Sequence, residues 1–557
     1  MDEDHNISRK QALKWLGGLA LGPGLFPSLI SNDEETVKPV HNEQKLSRKT
    51  PSPKPHIIFL MADQFRADAL GCAGNAAVKT PNIDALYEDG VLFTNAYSSA
   101  PSCTPARSCL LTGLNPWHNG MLGYGRLARK YKYEMPRMIR NAGYYTYAIG
   151  KNHWFPQKSL HGFHGTLIDS SGRVEQDGYV SDYHDWFKRI APGKDPNATG
   201  LGWNSYHAKA YALEEHLHPT HWIGQNAVDF IKNYDLDDPL YLKVSWERPH
   251  SPYDPPQRFL DMYNNVKIPK PAIGGKGTWD EKFAHYHPDN PSAALGNFGT
   301  AQVLKSRKYY YANITFVDEQ IGRIVKTLKV KGMYDNAIIC FCADHGDMLG
   351  DHYHWRKTYP YEGSAAIPYI FKWPNGFDAT VKKGTNVAEP VGLQDFLPTF
   401  LEATGQEIPD DMDGMSLLRL LRGNKSGWRE YIGSEHATTY FKENYWAAAT
   451  NGRFKYIWNF HTGKEQFFDL KKDPSELENM LSESRIDPKI NKEIQKSREW
   501  LIDYLRERGP GFIKDNHLVK RTKTMLYSPN YPEYNENDKK WLRYWSKEYK
   551  NSYAGDI

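Results

Sequence analysis

The sequence predicts an α/β fold in which a large, mostly parallel sheet is covered by helices on both faces, with a smaller antiparallel sheet toward the C-terminus. Two apolar runs, HIIFLMADQ at 56–64 and NAIICFCADHGDMLGDH at 336–352, lead into acidic residues and turns. Continuous apolar runs are typical of strands that are buried on both faces. Segments with helical periodicity lie between them, and this alternation favours a parallel sheet whose ligands bind beyond the carboxyl ends of its strands.

Length and charge narrow the class of protein. The chain has 557 residues, which favours one large domain with a smaller one rather than a single core. Its 70 lysines and arginines nearly balance 66 aspartates and glutamates, which leaves a formal charge of +4. A nucleic-acid-binding protein needs clustered basic residues and a larger net charge, so the composition does not support nucleic acid as a partner.

The N-terminal segment resembles an export signal. Basic residues precede a short, glycine-interrupted apolar run that cannot span a bilayer as a permanent helix. The order Ser8-Arg9-Lys10 resembles a twin-arginine signal with lysine in place of the second arginine, and an ordinary secretory signal fits almost as well. An amphipathic surface helix is the alternative. We expect a signal at 1–30, a polar linker at 31–54, and an exported protein of the bacterial periplasm without a permanent membrane span.

The main domain is expected to span 55–427. Its first strand delivers Asp63 to the carboxyl edge of the sheet. The second apolar strand delivers Asp344 to the same edge. Helical periodicity predicts three helices between these strands, the last of them capped by Thr220, at 80–90, 133–144 and 219–234.

From about residue 428 onward the pattern changes. Short strand-like runs, among them GRFKYIWNF and EQFFDL, alternate with turn residues as in an antiparallel sheet. We expect a subdomain at 428–510, built from such a sheet and a following helix. The extension at 511–557 could be loose or could wrap around the main domain, and its many tyrosines and tryptophans favour the ordered arrangement.

Five cysteines occur in the main domain. In an exported protein an odd number leaves at least one of them unpaired. Cys340 and Cys342 alternate along a strand and are expected to pack in the core, and Cys109 is expected in the wall of a helix. Cys103, in the segment SCTPARSCLLTG, precedes a proline by two residues and an arginine by four. It remains the cysteine that is a candidate for chemistry.

Polar side chains follow both apolar strands. Asp63 and Gln64 end the first strand, and Asp344 and His345 end the second. Two carboxylates, an amide oxygen and an imidazole are mostly hard ligands, which suit Ca²⁺ or Mg²⁺ better than a metal that prefers thiolates. Each aspartate could instead only cap the helix after its strand. Both pairs together with Cys103 favour a metal site.

These segments together resemble the type I sulfatases of the alkaline phosphatase superfamily. The resemblance extends from residue 54 to about residue 480, and its most specific part is PSCTPARSCLLTG, which fits the family's Cys-x-Pro-x-Arg signature. It implies an alkaline-phosphatase-like fold and hydrolysis of sulfate esters, with a sulfated carbohydrate as the expected substrate. It also implies that a formylglycine-generating enzyme oxidises Cys103 to formylglycine. The metal ion, expected to be Ca²⁺ with Mg²⁺ as the alternative, then lies among Asp63, Gln64, Cys103, Asp344 and His345.

The resemblance gives a reason for a modified cysteine. Hydrated formylglycine is a geminal diol, so one hydroxyl can attack sulfur while the other lets the sulfated adduct collapse back to the aldehyde. A serine ester would lack this exit. In the family the metal acts as a Lewis acid. Arg107, one helical turn after Cys103, is then placed to hold the diol near a helix N-terminus that favours anions.

Three further segments match the family's pattern. In GKNHW, the resemblance implies that Lys151 binds sulfate and that His153 is the base that triggers its elimination. In RPHSPY, it implies that His250 contacts the bridging oxygen and protonates the leaving alcohol. In HWRKTYPYEG, it implies that Lys357 contacts a sulfate oxygen. Each residue alone could be an ordinary solvated lysine or hydrogen-bonded histidine, but their order along the chain matches the family.

The chain departs from the family at two ligand positions. Gln64 stands where many sulfatases have a second aspartate, and His345 stands where they have asparagine. This combination also occurs in phosphonate monoester hydrolases, so hydrolysis of a phosphonate monoester or a phosphodiester by the same formylglycine is the alternative function. A non-catalytic glycan-binding protein is disfavoured because every expected catalytic position is filled. The histidine cluster HLHPTHW at 216–222 is interpreted as loop and helix-cap residues rather than as a second metal site.

Overall fold

The computed structural model describes residues 54–170, 173, 176–482 and 486–534. The predicted export signal, all but the last residue of the predicted linker, and the end of the C-terminal extension lie outside the described residues. No helix in the described part of the chain is long and apolar enough to cross a membrane.

The centre of the main domain is an eight-stranded mixed sheet. The first ten strands of the chain are β1 (His56–Asp63), β2 (Val91–Phe93), β3 (Ala96–Tyr97), β4 (Tyr145–Gly150), β5 (Gly165–Ile168), β6 (Leu240–Pro249), β7 (Ala337–Ala343), β8 (Tyr369–Lys372), β9 (Thr385–Val387) and β10 (Val391–Gly392). Eight of them form the sheet in the order β5-β4-β6-β1-β7-β8-β2-β9, and β3 pairs with β10. The five strands from β5 to β7 are parallel, whereas β8 is antiparallel to both of its neighbours.

Helices cover both faces of this sheet, as the apolar strands predict. On β6, Tyr241 and Trp246 point to opposite faces because side chains alternate along a strand. The Tyr241 ring contacts Phe400, with 6.2 Å between the ring centroids, and Trp246 Nε1 donates to the Thr220 carbonyl at 3.2 Å. Phe400 and Thr220 belong to two different helices, so each face packs against its own helical layer. This architecture confirms the predicted fold class.

The α-helices of the described residues are α1 (Pro81–Glu88), α2 (Cys103–Thr112), α3 (Pro116–Asn119), α4 (Met135–Asn141), α5 (Asp182–Ile190), α6 (Pro219–Asn233), α7 (Gln257–Asp261), α8 (Thr300–Val330), α9 (Glu362–Ala365), α10 (Phe396–Ala403), α11 (Leu418–Leu421) and α12 (Pro488–Arg506). The three predicted helices correspond to α1, α4 and α6. The predicted cap of α6 was wrong: His218 precedes the helix, and its Nδ1 accepts the Thr220 backbone N–H at 3.0 Å. Pro219 occupies the first helical position, so the cap falls one residue before it.

The C-terminal sheet is antiparallel and has four strands, β11 (Ile432–His436), β12 (Trp446–Thr450), β13 (Phe454–Asn459) and β14 (Glu465–Asp469). Helix α12 packs against β12 and β13. A short hairpin follows, made of β15 (Ile513–Lys514) and β16 (His517–Leu518). The predicted antiparallel sheet with a following helix is confirmed.

The described part of the C-terminal extension returns to the main domain. The Leu526 carbonyl accepts the Leu122 backbone N–H at 3.0 Å, and Ser528 donates its backbone N–H to Gly120 at 2.9 Å. The Tyr527 hydroxyl accepts the Arg126 backbone N–H at 2.6 Å. This stretch therefore supports the segment after α3, and it agrees with an ordered extension as far as residue 534.

Candidate active site

The carboxyl ends of β1 and β7 bring the two acidic pairs together. The strands pair in parallel with Ala62 opposite Ala343, so Asp63 and Asp344 follow at the same level. Both carboxylates are fully buried. Gln64 turns the chain away from β1 in the left-handed region, with a φ of 63°. Its backbone N–H donates to Asp344 Oδ1 at 3.1 Å, which ties the two strand ends to each other.

Cys103 is the first residue of α2 and faces these carboxylates. Its Sγ lies 3.3 Å from His345 Nε2 and 3.7 Å from Asp63 Oδ1. Four buried residues offer ligand atoms that all lie within 4.8 Å of one another, namely Asp63, Cys103, Asp344 and His345. This group, hereafter the ligand group, is compact enough to surround one ion.

The chemistry of the ligand group fits a divalent cation. His345 Nδ1 donates to the Gly346 carbonyl at 2.9 Å, which leaves Nε2 facing the Cys103 thiol. Metal-binding histidines usually donate their second ring nitrogen in this way. Gln64 Nε2 donates to Asp347 Oδ2 at 2.6 Å, which fixes the direction of the Gln64 amide oxygen beside the group. Carboxylates, an amide oxygen and one imidazole suit a cation such as Ca²⁺ or Mg²⁺.

Arg107 and Lys151 neutralise the two buried carboxylates. Arg107 Nε donates to Asp344 Oδ2 at 2.9 Å, and Arg107 Nη2 lies 3.6 Å from Asp63 Oδ2. Lys151 Nζ forms a close ion pair with Asp63. Burial alone would raise the pKa of Asp63, but Lys151 and Lys357 hold it well below its usual range. Asp63 is therefore charged in the folded protein, as a metal ligand must be.

Lys357 contacts the thiol directly. Its Nζ lies 3.0 Å from Cys103 Sγ and donates to Gln64 Oε1 at 3.0 Å. Burial and the Asp63 carboxylate raise the pKa of the Cys103 thiol, but Lys357 and Lys151 outweigh them and lower it to about 6. The position occupied by this sulfur is thus one that stabilises negative charge.

His153 follows β4, two residues after Lys151. Its hydrogen-bonding neighbours include Arg173 Nη1, 2.6 Å from Nε2, and the Tyr124 hydroxyl, 3.4 Å from Nε2. Burial and Arg173 lower the pKa of His153 well below its usual range. The imidazole is therefore neutral, the form in which it can accept a proton.

His250 is fully buried beside the end of β1, where its backbone N–H donates to the Asp63 carbonyl at 3.2 Å. Its Nδ1 donates to the Ser251 carbonyl at 2.7 Å, whereas Nε2 has no hydrogen-bond partner in the described residues. The Trp203 ring stacks on the imidazole with 4.5 Å between the ring centroids. Burial and Lys357 lower the pKa of His250 well below its usual range. Nε2 is therefore the ring nitrogen that remains available for a further hydrogen bond.

Two residues that shape the site were missed in the sequence. Asp347 orients the Gln64 amide, and its Oδ1 accepts the backbone N–H of Arg356 at 2.9 Å. Trp203 covers His250, and its ring centroid is 5.3 Å from Lys151 Nζ. Asp347 had a signal, because it follows His345 by two residues in the same turn. Trp203 lies in a loop without periodicity, where no pattern identifies it.

The histidine cluster at 216–222 does not form a second ligand group. His218 caps α6, and its Nε2 lies 3.5 Å from Asp254 Oδ1. In the part of the chain that the structure describes, the ligand group around Asp63 is the only cluster of its kind. The interpretation of His218 as a helix-cap residue is confirmed.

Known proteins share both the fold and the sequence pattern of this chain. The Sulfatase family profile matches residues 55–406, and the profile of N-sulphoglucosamine sulphohydrolase, C-terminal, matches residues 350–502. An arylsulfatase of Clostridium perfringens is 35% identical over 84% of this chain and 98% of its own length. An N-acetylglucosamine-6-O-sulfatase of Bacteroides thetaiotaomicron is 26% identical over 84% of this chain and 88% of its own. The crystal structure of a phosphonate monoester hydrolase of Agrobacterium radiobacter covers 84% of this chain and 100% of its own, with a TM-score of 0.66 and 24% identity.

A mostly parallel sheet that carries a charged cluster at its carboxyl edge, with an antiparallel sheet appended, gives the chain the alkaline-phosphatase-like fold, which it shares with this solved structure. Within that class the chain belongs to the sulfatase family, whose enzymes hydrolyse sulfate esters. The family, the fold and the enzyme class predicted from the sequence are confirmed.

Proposed function

We propose that this sulfatase removes sulfate from a carbohydrate, using formylglycine formed at position 103 and one bound divalent cation. The observation that carries the proposal is the position of Cys103. It begins α2 inside a Cys-x-Pro-x-Arg segment, and its Sγ lies within 3.7 Å of Asp63, His345 and Lys357. A nucleophile at this position would sit between the metal ligands and the cations that hold an anion.

Formylglycine at position 103 would supply a nucleophilic hydroxyl and, on the same carbon, a second hydroxyl through which sulfate is released. Arg107, one helical turn further on, balances charge behind this position. Cys103 is fully buried in the folded chain. A formylglycine-generating enzyme is therefore expected to act before folding is complete.

The cation would be held by Asp63, Gln64, Asp344, His345 and position 103. When bound, it supplies Lewis-acid polarisation of a sulfate oxygen and lowers the pKa of the attacking hydroxyl. We assign Ca²⁺, with Mg²⁺ as the alternative, because all of these ligands except the imidazole are oxygens.

The remaining side chains have roles in binding and proton transfer. In the structure, Lys151 pairs with Asp63 and Lys357 pairs with Cys103. A sulfate bound in the same space would accept hydrogen bonds from both ammonium groups. His250 offers the free Nε2, and we assign to it proton donation to the leaving oxygen in its imidazolium form, which a bound sulfate anion favours. His153 is likewise a neutral imidazole in this structure, and it is assigned as the base for sulfate release.

The assignment of a carbohydrate substrate is supported by a relative named N-acetylglucosamine-6-O-sulfatase. The relative named arylsulfatase is more similar in sequence, so an aryl sulfate is the substrate with which a sugar sulfate must be compared. The predicted export signal at 1–30 and the bacterial relatives are consistent with the proposed periplasmic location.

A phosphonate monoester or phosphodiester is the second candidate substrate. Gln64 and His345 make the ligand set less anionic than an aspartate and an asparagine would at the same two positions. These two residues, rather than the fold alone, are the reason to test a phosphonate monoester or phosphodiester substrate.

A comparison of leaving-group-matched esters decides between the two candidates. We expect kcat/KM for p-nitrophenyl sulfate to exceed that for p-nitrophenyl phenylphosphonate by at least tenfold, since Lys151 and His153 follow the sulfatase pattern. Both rates are measured on the same matured preparation, with the Cys103→Ala variant as the blank. A preference for the phosphonate would replace the sulfatase assignment with the alternative.

A further inference from the structure

A cavity of about 90 Å³ lies at the carboxyl edge of the sheet, beside the candidate active site. Glu247, near the end of β6, and Asp169, directly after β5, line it together with Trp203 and Tyr211. Strand β6 pairs with β1, so the cavity continues the row of strand ends that carries Asp63. Ligands of open parallel sheets bind along this edge. The volume has room for several water molecules, or for hydroxyl groups of a ligand whose remaining part lies outside it.

Trp203 is the wall between this cavity and His250. Its ring lies on the imidazole at 4.5 Å, and the Ser251 hydroxyl donates to the Trp203 carbonyl at 2.7 Å. Because His250 Nε2 is the atom assigned to the leaving oxygen, the leaving alcohol extends from the His250 side of the site. The cavity therefore lies on the side of the site from which the leaving alcohol extends, with the Trp203 ring between it and the imidazole.

Three polar atoms on residues that line the cavity have no hydrogen-bond partner in the described residues: Glu247 Oε1, the Tyr211 hydroxyl and Trp203 Nε1. Glu247 is 2% exposed and Tyr211 is 8% exposed. Buried polar groups are nearly always hydrogen-bonded, so a set of three around one cavity indicates a ligand or water. Together they provide an acceptor, a donor and a hydroxyl that can act as either.

Neighbouring charges do not satisfy these atoms. Arg248 is held by Asp254 through hydrogen bonds of 2.7 and 2.9 Å, and its Nη1 is 3.7 Å from Glu247 Oε2 rather than Oε1. Burial and Asp169 raise the pKa of Glu247 well above its usual range. The neutral carboxyl group of Glu247 therefore suits neutral ligand groups that donate and accept hydrogen bonds.

We propose that this cavity is the subsite for the alcohol part of the substrate, and that Glu247, Tyr211 and Trp203 recognise the hydroxyl groups of a neutral sugar ring. The inference rests on the proposed function and makes it specific. A sugar hydroxyl can pair with each of the three polar atoms. An aryl group in the same place would leave them unpaired, and a site built for hydroxyl groups discriminates strongly against an analogue that lacks them.

The variant Tyr211→Phe tests the subsite with the smallest change. Its kcat/KM is compared with wild type on p-nitrophenyl sulfate and on the 6-sulfates of glucose, galactose and N-acetylglucosamine. For the preferred sugar sulfate, we expect a loss about 3- to 10-fold greater than the loss for p-nitrophenyl sulfate, the effect of one neutral hydrogen bond. Glu247→Gln should change this ratio less than Tyr211→Phe does, because the amide keeps a neutral acceptor oxygen at the same position. Tyr334→Phe is the matched control, since Tyr334 precedes β7 at the opposite edge of the sheet and bonds Asp89.

Inhibition by the free sugar gives a second readout. The desulfated form of the preferred sugar should inhibit p-nitrophenyl sulfate hydrolysis competitively, with an inhibition constant that rises by a similar factor in Tyr211→Phe and stays constant in Tyr334→Phe. Equal losses on aryl and sugar sulfates, or a wild-type enzyme that hydrolyses p-nitrophenyl sulfate but none of the sugar sulfates, would overturn the subsite and leave the sulfatase intact. A matured enzyme inactive on every sulfate ester would overturn the proposed function itself.

Discussion

Charge pairing organises the site at the scale of single residues. Asp344 pairs with Arg107 at 2.9 Å, and Asp63 pairs with Lys151, all with side chains that are almost fully buried. Removal of one partner from such a pair is strongly destabilising, because the other charge stays buried without compensation. The carboxylates can therefore be held in place before a cation binds. His250 differs from these residues, since its Nε2 is left without a partner for the substrate.

The variant His250→Ala tests the role of that nitrogen. An alkyl or sugar alkoxide is a much more basic leaving group than p-nitrophenolate, so proton donation matters more for the sugar ester. We expect kcat/KM to fall by roughly 10²- to 10⁴-fold on a sugar sulfate, the range of general acid catalysis. The fall on p-nitrophenyl sulfate should be visibly smaller.

His207→Ala is the control for the loss of an imidazole, because His207 is exposed and has no carboxylate partner in the described residues. Should His250→Ala slow both substrates by the same factor, the residue only orients the ester. Lys357 would then be the next candidate for the acid.

A candidate residue could be predicted from the sequence where it ends an apolar strand or lies in a segment that matches the family. Asp63 and Asp344 end apolar strands, and that pattern alone places them at one sheet edge. The sequence could not supply Trp203, whose role depends on a loop that folds back over His250. Nor could it supply Tyr211, because the role of its hydroxyl depends on the cavity that it lines together with Glu247 of β6 and the loop that carries Trp203.

At the scale of elements, the C-terminal sheet supports the site. Strand β11 is hydrogen-bonded to the segment that leads into α2, because the Glu435 backbone N–H donates to the Ser99 carbonyl at 2.9 Å. On β12, Trp446 Nε1 donates to the Thr358 carbonyl at 2.9 Å, directly after Lys357. The alternating pattern predicted this sheet, but its docking joins residues far apart in the chain, which no local pattern encodes. The C-terminal sheet thus positions both Cys103 and Lys357.

A second link between the subdomain and the main domain depends on pH. His118 of α3 lies 2.8 Å from Asp413 and 3.0 Å from Glu507, which follows α12. The hydrogen bond to Asp413 raises the pKa of His118 from 6.5 to about 9, against burial. A raised pKa in the folded state contributes stability that is complete below pH 6.5 and is lost as the pH rises through 9.

The variant His118→Gln should therefore be less stable than wild type at pH 6, by about 1 kcal/mol after allowance for solvent screening of this partly exposed group. Near pH 10 the two free energies of unfolding should converge. Denaturant titrations at a series of pH values measure the difference, with His207→Gln as control. A difference that stays constant from pH 6 to pH 10 would show that packing, not charge, accounts for it.

At the scale of the whole molecule, the large sheet, the antiparallel sheet and the returning extension all contribute to the region around the carboxyl edge of the large sheet. The large sheet provides the proposed metal ligands, the antiparallel sheet supports the segment of the proposed nucleophile, and the extension supports the residues after α3. Changes in the sequence pattern along the chain predicted that the antiparallel sheet follows the large one. The domain boundaries proposed after residues 427 and 510 stay a prediction. The account as a whole depends on one chemical event, the conversion of Cys103.

The mass of the peptide that contains position 103, measured on enzyme of known specific activity, tests this claim most directly. The account predicts that active protein has lost the thiol sulfur and gained a carbonyl at that position, in a fraction that follows specific activity from one preparation to the next. Protein made in a host without the modifying enzyme, like Cys103→Ala, should fold and remain inactive. Full activity in protein whose Cys103 is unmodified would contradict the account.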